Sequence, residues 1–198
     1  MKPIGIIGSS GNMASRYIAI LNKLGIDYVP FDEKDWRDAT RFVKDLHSVI
    51  ICSPTEHHYE NVMVLKDFKI LCEKPFSLEM DKVIEMTDAV KNLRMVNQYD
   101  YLIPEVSKGT SHYNYFKSGG DGLAWDCINI IGLADAPATI SNKSPLWDCQ
   151  INGYKLSLSD MDRAYCKMIV DWTRRTTSNK RYTIEAHRKV IEGHYRYD

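Results

Sequence analysis

Residues 4–25 have the sequence IGIIGSSGNMASRYIAILNKLG, in which an apolar run leads through glycines into apolar residues at three- and four-residue spacing. The pattern predicts a strand over 3–7 and a helix that begins at Gly11 and ends at Gly25. A glycine turn between a strand and a helix lets the backbone approach a pyrophosphate, and the helix N-terminus supplies free N–H groups. The stretch therefore predicts the first unit of a nucleotide-binding sheet.

The glycine turn supplies the first candidate binding residues. Its spacing is G-x-x-G-x-x-A, which differs from G-x-G-x-x-G by an inserted residue. Either Ser9 or Ser10 is expected to donate a hydroxyl hydrogen bond to phosphate. The alternative is a plain strand-to-helix turn that needs glycine for a positive φ. The expected phosphate-binding residues are Gly8, Ser9, Ser10, Gly11, Asn12 and Met13.

The first hundred residues alternate strand and helix patterns. Four more strands are predicted at 27–31, 47–53, 69–73 and 94–99, with helical patterns between them. The runs 47–53 and 69–73 are almost continuously apolar, as expected when helices cover both faces of a strand. This alternation predicts an α/β fold whose N-terminal domain, residues 1–104, is a parallel Rossmann sheet with helices on both faces.

The remainder of the chain, 105–198, is predicted to form a small, reduced α+β domain. Residues 105–122 are loop-rich, and the pair Asn152-Gly153 between two strand-like runs is a strong hairpin signal. The apolar run 123–133 fits a buried helix or a strand, because periodicity does not separate the two in so short a segment. Two helices are expected near the end, over 161–172 and 183–195.

Asp32 follows the second predicted strand, 24 residues after Gly8. A carboxylate at that place accepts hydrogen bonds from the adenosine ribose and repels a 2′-phosphate. No arginine follows immediately to hold a 2′-phosphate. The sequence therefore favours NAD over NADP as the cofactor, and the alternative for Asp32 is an ordinary turn aspartate.

Two linked motifs end the third and fourth predicted strands, Ser53-Pro54-Thr55-Glu56-His57-His58 and Cys72-Glu73-Lys74-Pro75-Phe76. They resemble the T-P-x-x-x-H and C-E-K-P-L motifs of the Gfo/Idh/MocA oxidoreductases, a family named for glucose–fructose oxidoreductase and inositol dehydrogenase. The resemblance extends over about residues 3 to 104 and includes the segment 97–104, where the family has an R-F-x-P-type sequence. It implies further cofactor-binding residues, namely Ser53, Pro54, Thr55, His58, Glu73, Lys74 and Gln98.

Lys74 is the candidate acid–base group. It lies at the carboxyl end of a predicted central strand, where a lysine can orient or deprotonate a hydroxyl as hydride leaves carbon. The alternative is a solvated lysine that precedes a helix. For His58 the alternative to a place near the cofactor is a capping or surface imidazole.

The resemblance weakens at residues 119–130, GGDGLAWDCINI, which are similar to the family's G-G-x-L-x-D-x-G-x-H segment. Asp126 takes the place of the aspartate. The place of the histidine falls on Ile130 without a gap, or on Asn129 with a one-residue deletion, and neither side chain can act as a general acid or base. The resemblance then leaves Lys74 as the acid–base group, with Asp126 and Asn129 orienting the substrate.

Three functions are compatible with these observations. The first is an NAD(P)-dependent oxidoreductase that transfers hydride between nicotinamide and a hydroxyl or carbonyl of a sugar, cyclitol or similar small molecule. The second is a catalytically reduced NAD-binding sensor or assembly protein, which the missing histidine supports. The third is an NADP-using reductase outside the family.

The charge balance and the spacing of cysteines and histidines argue against nucleic-acid, membrane and metal binding. The chain has 26 Lys and Arg against 26 Asp and Glu, so nucleic acid and anionic membranes are poor partners. The five cysteines have no C-x-x-C spacing and the six histidines no helical pair, so no metal site is expected.

The longest apolar run, Cys127–Ala138, is interrupted and shorter than the roughly 20 residues of a spanning helix. No signal-peptide pattern precedes the first strand, and a cytoplasmic location is expected. A small C-terminal sheet would expose edges and apolar surface, so we expect a homodimer or larger homo-oligomer.

Overall fold

The computed structural model describes residues 2–32, 45–102, 113–116, 122–144, 146–175 and 178–198. The chain forms two compact units, named here unit A and unit B. Unit A contains Met1–Val96 and Arg175–Lys180, and unit B contains Asn97–Arg174 and Arg181–Asp198. The domain boundary expected after residue 104 lies outside the described residues.

Unit A contains a five-stranded parallel sheet with the strand order β2-β1-β3-β4-β5. Its strands are β1 (Ile4–Ile7), β2 (Tyr28–Phe31), β3 (Ser48–Ile51), β4 (Ile70–Cys72) and β5 (Leu93–Met95). The described connections include helices α1 (Asn12–Leu24), α2 (Thr55–Val64) and α3 (Met80–Ala89). The predicted Rossmann-type sheet is confirmed.

The strand order decides which face each helix covers. The connection through α1 leads from β1 to one edge of the sheet, and the connections through α2 and α3 lead to the other edge. Because such crossovers are right-handed, α1 lies on one face and α2 and α3 on the opposite face. Strands β1, β3 and β4 are therefore buried along their whole length, as their apolar sequences predict.

The ends of two elements show where sequence patterns succeed and fail. Helix α1 ends at Gly25, whose φ of 64° is the left-handed conformation expected of a C-terminal glycine. The fifth strand, predicted over 94–99, ends at Met95, and residues Gln98–Tyr101 form a 3-10 helix. The prediction was too long because β4, the neighbour of β5 among the described strands, already ends at Cys72. The helical pattern between the second and third predicted strands falls largely on residues 33–44, outside the described part of the chain.

Unit B contains a smaller mixed sheet with the strand order β10-β7-β6-β8-β9. Strands β6, β7 and β10 pair in parallel, and β8 pairs antiparallel with β6 and β9. The strands are β6 (Tyr113–Phe116), β7 (Ala138–Ser141), β8 (Asp148–Ile151), β9 (Tyr154–Lys155) and β10 (Tyr195–Tyr197). The helices are α4 (Leu123–Asp126), α5 (Ile128–Leu133), α6 (Leu158–Arg174) and α7 (Lys180–Ile191). The predicted small α+β region is confirmed.

Two segments of unit B, the hairpin between β8 and β9 and the run 123–133, have local sequence signals. The turn between β8 and β9 has positive φ at Asn152 (50°) and Gly153 (78°), so the predicted tight hairpin is confirmed. The ambiguous run 123–133 is helical, as the two short helices α4 and α5. Among the described residues, no helix has the length and apolar character needed to cross a membrane.

Candidate active site

The glycine turn lies between two neighbouring strands, β1 and β3, whose onward connections lead to opposite edges of the sheet. Gly8 follows β1 with φ of 80°, and a Cβ atom there would lie 2.6 Å from the backbone nitrogen of Ser53, which follows β3. The site therefore admits only glycine. Because β1 and β3 connect onward to opposite edges, this is the switch point at which doubly wound sheets bind ligands.

The N-terminus of α1 opens from this turn. Gly11 precedes the helix in extended conformation, and its N–H donates to the carbonyl oxygen of Gly8 at 3.2 Å. The first-turn N–H groups have no intrahelical acceptors, as in any α-helix, and Gly11 has no side chain to cap them. The first turn, which the structure describes completely, contains no acidic residue. Asn12 and Met13 thus begin a helix whose end suits an anion.

Ser10 and Asp32 are brought together across the carboxyl ends of β1 and β2. The Ser10 hydroxyl donates a hydrogen bond to Oδ1 of Asp32 at 2.9 Å. The hydroxyl proton of Ser10 therefore points at the carboxylate. The backbone N–H of Ser9 donates to the carbonyl oxygen of Phe31 at 3.2 Å.

His58 links the two sequence motifs. Its ring is 1% exposed, with Nδ1 2.8 Å from the carbonyl oxygen of Pro75 and Nε2 2.8 Å from that of Ser53. Burial lowers the pKa of His58, although both carbonyl oxygens favour the charged ring. The imidazole therefore joins the end of β3 to the turn after β4. Pro54 and Thr55 begin α2, and the Ser53 hydroxyl donates to Oδ1 of Asn61 at 2.7 Å.

Glu73 and Lys74 form the turn after β4. Glu73 is 5% exposed, and its Oε2 accepts the backbone N–H of Lys74 at 3.2 Å. Its Oε1 accepts the hydroxyl of Tyr17, on α1, at 2.5 Å. The peptide bond between Lys74 and Pro75 is cis, and Lys74 itself is half-buried.

Tyr17 and Asn61 are polar residues that the sequence reasoning missed. Both are among the buried residues of their helices. The position of Tyr17 fits the spacing of the apolar residues in α1. The available signal was chemical, since a hydroxyl or amide at a fully buried position requires a hydrogen-bond partner.

A cysteine also borders the glycine turn. The Cys52 thiol donates to the carbonyl oxygen of Ile7 at 3.2 Å. Burial, with a smaller effect from Glu73, raises the pKa of Cys52 to about 12. The thiol therefore stays protonated at neutral pH and is not a nucleophile.

The remaining candidate residues belong to unit B. Asn129 is 2% exposed, its Nδ2 donates to Oε1 of Gln98 at 3.3 Å, and its Oδ1 accepts the hydroxyl of Tyr182 at 3.1 Å. Asp126 ends α4 and is half-buried. Two residues fall at the place of the family's histidine. Ile130 is buried and apolar, whereas Asn129 is buried and polar.

Unit B also contains a buried histidine at an unexpected place. His187, on α7, has its ring centroid 5.9 Å from that of Trp125 and donates from Nδ1 to the carbonyl oxygen of Thr183 at 2.7 Å. Burial lowers the pKa of His187 to about 4, so the ring is neutral at physiological pH. Within the described residues, no group of three or more His, Cys, Asp or Glu side chains is arranged to hold a metal ion.

Comparison by sequence finds no matching family model and no matching curated protein. Solved structures do match. A Gfo/Idh/MocA family oxidoreductase from Vibrio cholerae superposes with a TM-score of 0.73 at 10% identity, covering 98% of this chain and 96% of that one. The chain has the fold of the Gfo/Idh/MocA oxidoreductases.

Two further structures with this fold are similar over nearly their full length. The WlbA (WbpB) dehydrogenase from Thermus thermophilus, in complex with NAD and UDP-GlcNAcA, has a TM-score of 0.68 at 12% identity, covering 100% of this chain and 96% of that one. A myo-inositol dehydrogenase from Corynebacterium glutamicum has a TM-score of 0.70 at 11% identity, covering 96% of each chain. In this chain, the two motifs that resemble those of the Gfo/Idh/MocA family follow the neighbouring strands β3 and β4.

Proposed function

We propose that this protein is an NAD-dependent oxidoreductase of the Gfo/Idh/MocA type. One arrangement within unit A carries the proposal. The glycine turn, Asp32 and Lys74 follow β1, β2 and β4, and the carboxyl ends of parallel strands share one edge of the sheet. A phosphate-binding turn, a ribose acceptor and an ionisable amine therefore border the same edge.

The residues of this edge fit a dinucleotide. Gly8 leaves space that any Cβ would fill, and the N-terminus of α1 offers N–H groups to a pyrophosphate. Asp32, held by Ser10, presents a carboxylate to ribose hydroxyls. A bound nicotinamide supplies the carbon that accepts or donates hydride. The Thermus relative with this fold was solved with NAD, which agrees with the choice of cofactor.

Lys74 is proposed to hold or transfer the proton of the reacting hydroxyl. Asp126 and Asn129, both in unit B, are proposed to orient the substrate. The substrate is proposed to be a sugar, cyclitol or similar small molecule. Structural neighbours that bind UDP-GlcNAcA or act on myo-inositol support that class.

Replacement of Asp32 with alanine tests the cofactor assignment. The variant loses a charged acceptor for the ribose and the repulsion of a 2′-phosphate, so we expect NADH to bind about 10- to 100-fold more weakly while NADPH binding is unchanged or stronger. Fluorescence titration of both nucleotides measures the change.

Asp27→Ala is the matched control, because Asp27 is exposed at the opposite end of β2. It should bind both nucleotides like the wild type. Equal weakening of NADH and NADPH in Asp32→Ala would contradict the role of the carboxylate. Failure of the wild type to bind either nucleotide would overturn the proposed function itself.

One observation favours a second function, an NAD-binding sensor without turnover. The resemblance puts Ile130 or Asn129 at the place of the family's histidine, and the Asn129 amide is hydrogen-bonded to Gln98 and Tyr182. A panel of cyclitols, sugars and UDP-sugars with NAD⁺, followed by NADH absorbance, distinguishes the two. Turnover of any member supports the oxidoreductase, whereas tight NADH binding without turnover supports the sensor.

We also propose that the chain forms a homodimer or larger homo-oligomer. Four large apolar side chains of unit B are at least half exposed. Among the described strands, β9 and β10 are the two edges of its sheet. These side chains are Leu146, Leu158, Ile191 and Tyr197. Light scattering at micromolar concentration should give a mass of two chains or more, and a monomer mass would contradict this.

A further inference from the structure

We infer that Tyr17 is a positioning residue for Lys74 and that it acts through Glu73. This inference rests on the proposed role of Lys74 as the acid–base group. The three residues form a continuous chain of hydrogen bonds within unit A, from the hydroxyl of Tyr17 through the carboxylate of Glu73 to the backbone N–H of Lys74.

The hydroxyl of Tyr17 is constrained by burial. Tyr17 is 0% exposed on the face of α1 that packs on the sheet, so water does not offer its hydroxyl an alternative partner. Its hydrogen bond to Oε1 of Glu73 measures 2.5 Å, the short distance typical of a hydroxyl that donates to a carboxylate. A buried pair of this kind is costly to break, because the hydroxyl and the carboxylate oxygen are both removed from water.

Glu73 transmits this constraint to the lysine. With Oε1 held by Tyr17, the second oxygen, Oε2, is directed at the N–H of Lys74 at 3.2 Å. Glu73 is itself 5% exposed, so its carboxylate has little access to water. The backbone from which the Lys74 side chain extends is therefore held by a side chain of α1.

The other side of Lys74 is held independently. The carbonyl oxygen of Pro75 contacts Nδ1 of His58, whose other ring nitrogen contacts the carbonyl oxygen of Ser53. Loss of the Tyr17 hydroxyl should thus loosen Lys74 locally and leave the rest of the turn in place. Helix α1 also carries the phosphate-binding end, so one helix serves both the cofactor turn and the lysine turn.

Tyr17→Phe tests the inference, because it removes the hydroxyl and keeps the buried ring. We expect hydrogen exchange of the Lys74 amide, followed by NMR, to become at least about tenfold faster than in the wild type. Tyr165→Phe is the control, since Tyr165 is also buried and lies on α6 of unit B. The control should leave Lys74 exchange unchanged, and unchanged exchange in Tyr17→Phe would overturn the inference.

A double-mutant cycle with Glu73→Gln gives the functional readout. For any panel substrate that the wild type turns over, Tyr17→Phe should lower kcat about tenfold with NADH affinity and KM within about twofold. In the Glu73→Gln background, Tyr17→Phe should cause no further loss. Additive losses, or equal losses in kcat and NADH affinity, would mean that Tyr17 has a merely structural role.

The two measurements separate this inference from the proposed function. If the wild type turns over no panel substrate, the proposed reaction has failed, while the exchange of the Lys74 amide still decides whether Tyr17 positions this residue. If turnover is present and exchange is unchanged, the positioning role fails and the reaction stands.

Discussion

Replacement of Gly8 with alanine is expected to destabilise the protein by about 3 kcal/mol or more and to abolish NADH binding. An L-residue at φ of 80° is strained, and the added Cβ would lie 2.6 Å from the nitrogen and 2.7 Å from the Cα of Ser53. Both contacts are with backbone, so no side-chain rotation relieves them. Separation of the two segments would displace the glycine turn from the end of β3.

Gly25→Ala is the control, because it has the φ strain of Gly8→Ala without the steric contact. Gly25 has a similar φ of 64°, and an added Cβ would have no atom within 4 Å. This control should cost only about 1 kcal/mol and bind NADH like the wild type. Urea unfolding and NADH fluorescence measure both effects. Equal losses in the two variants would show that the approach of Gly8 to Ser53 is unimportant.

Replacement of Lys74 with alanine is expected to lower kcat on an accepted substrate by about 10²- to 10⁴-fold, the usual contribution of a general acid–base group. NADH affinity should fall by less than about tenfold, because the glycine turn and Asp32 remain. The rate of NADH formation with the substrate panel and fluorescence titration measure the two quantities.

Lys66→Ala is the matched control for charge. Lys66 is exposed just after α2 in the same unit, and its loss should leave turnover unchanged. If Lys74→Ala and the wild type turn over the accepted substrate equally, Lys74 is not the acid–base group. A large loss in NADH affinity with unchanged kcat would instead assign Lys74 to cofactor binding alone.

The Rossmann sheet of unit A was predictable because its signals are local. Apolar runs, helical spacing and glycines at places of positive φ each act within a few residues, and they located β1, α1 and the end of α1 at Gly25. The tight hairpin at Asn152-Gly153 was predictable for the same reason. The length of β5 was not, because a strand continues only as far as its neighbour does.

Local sequence patterns named individual candidate residues, but they did not predict the hydrogen bonds of those residues. The sequence motifs indicated Asp32, His58, Glu73 and Lys74 as separate candidates. Local patterns carry no information about the bonds of Ser10 to Asp32, of Asn129 to Gln98 or of Tyr182 to Asn129, which join residues far apart in the chain.

The sequence by itself determined the alternation of strands and helices, the glycine turn and the carboxylate and lysine that follow the strand ends. Only the tertiary structure decided which polar side chains those residues contact, as in the bond between Tyr17 and Glu73. The physical reason is burial. A hydroxyl or carboxylate removed from water must bond to whatever the packed elements bring within reach, and that choice depends on the whole fold.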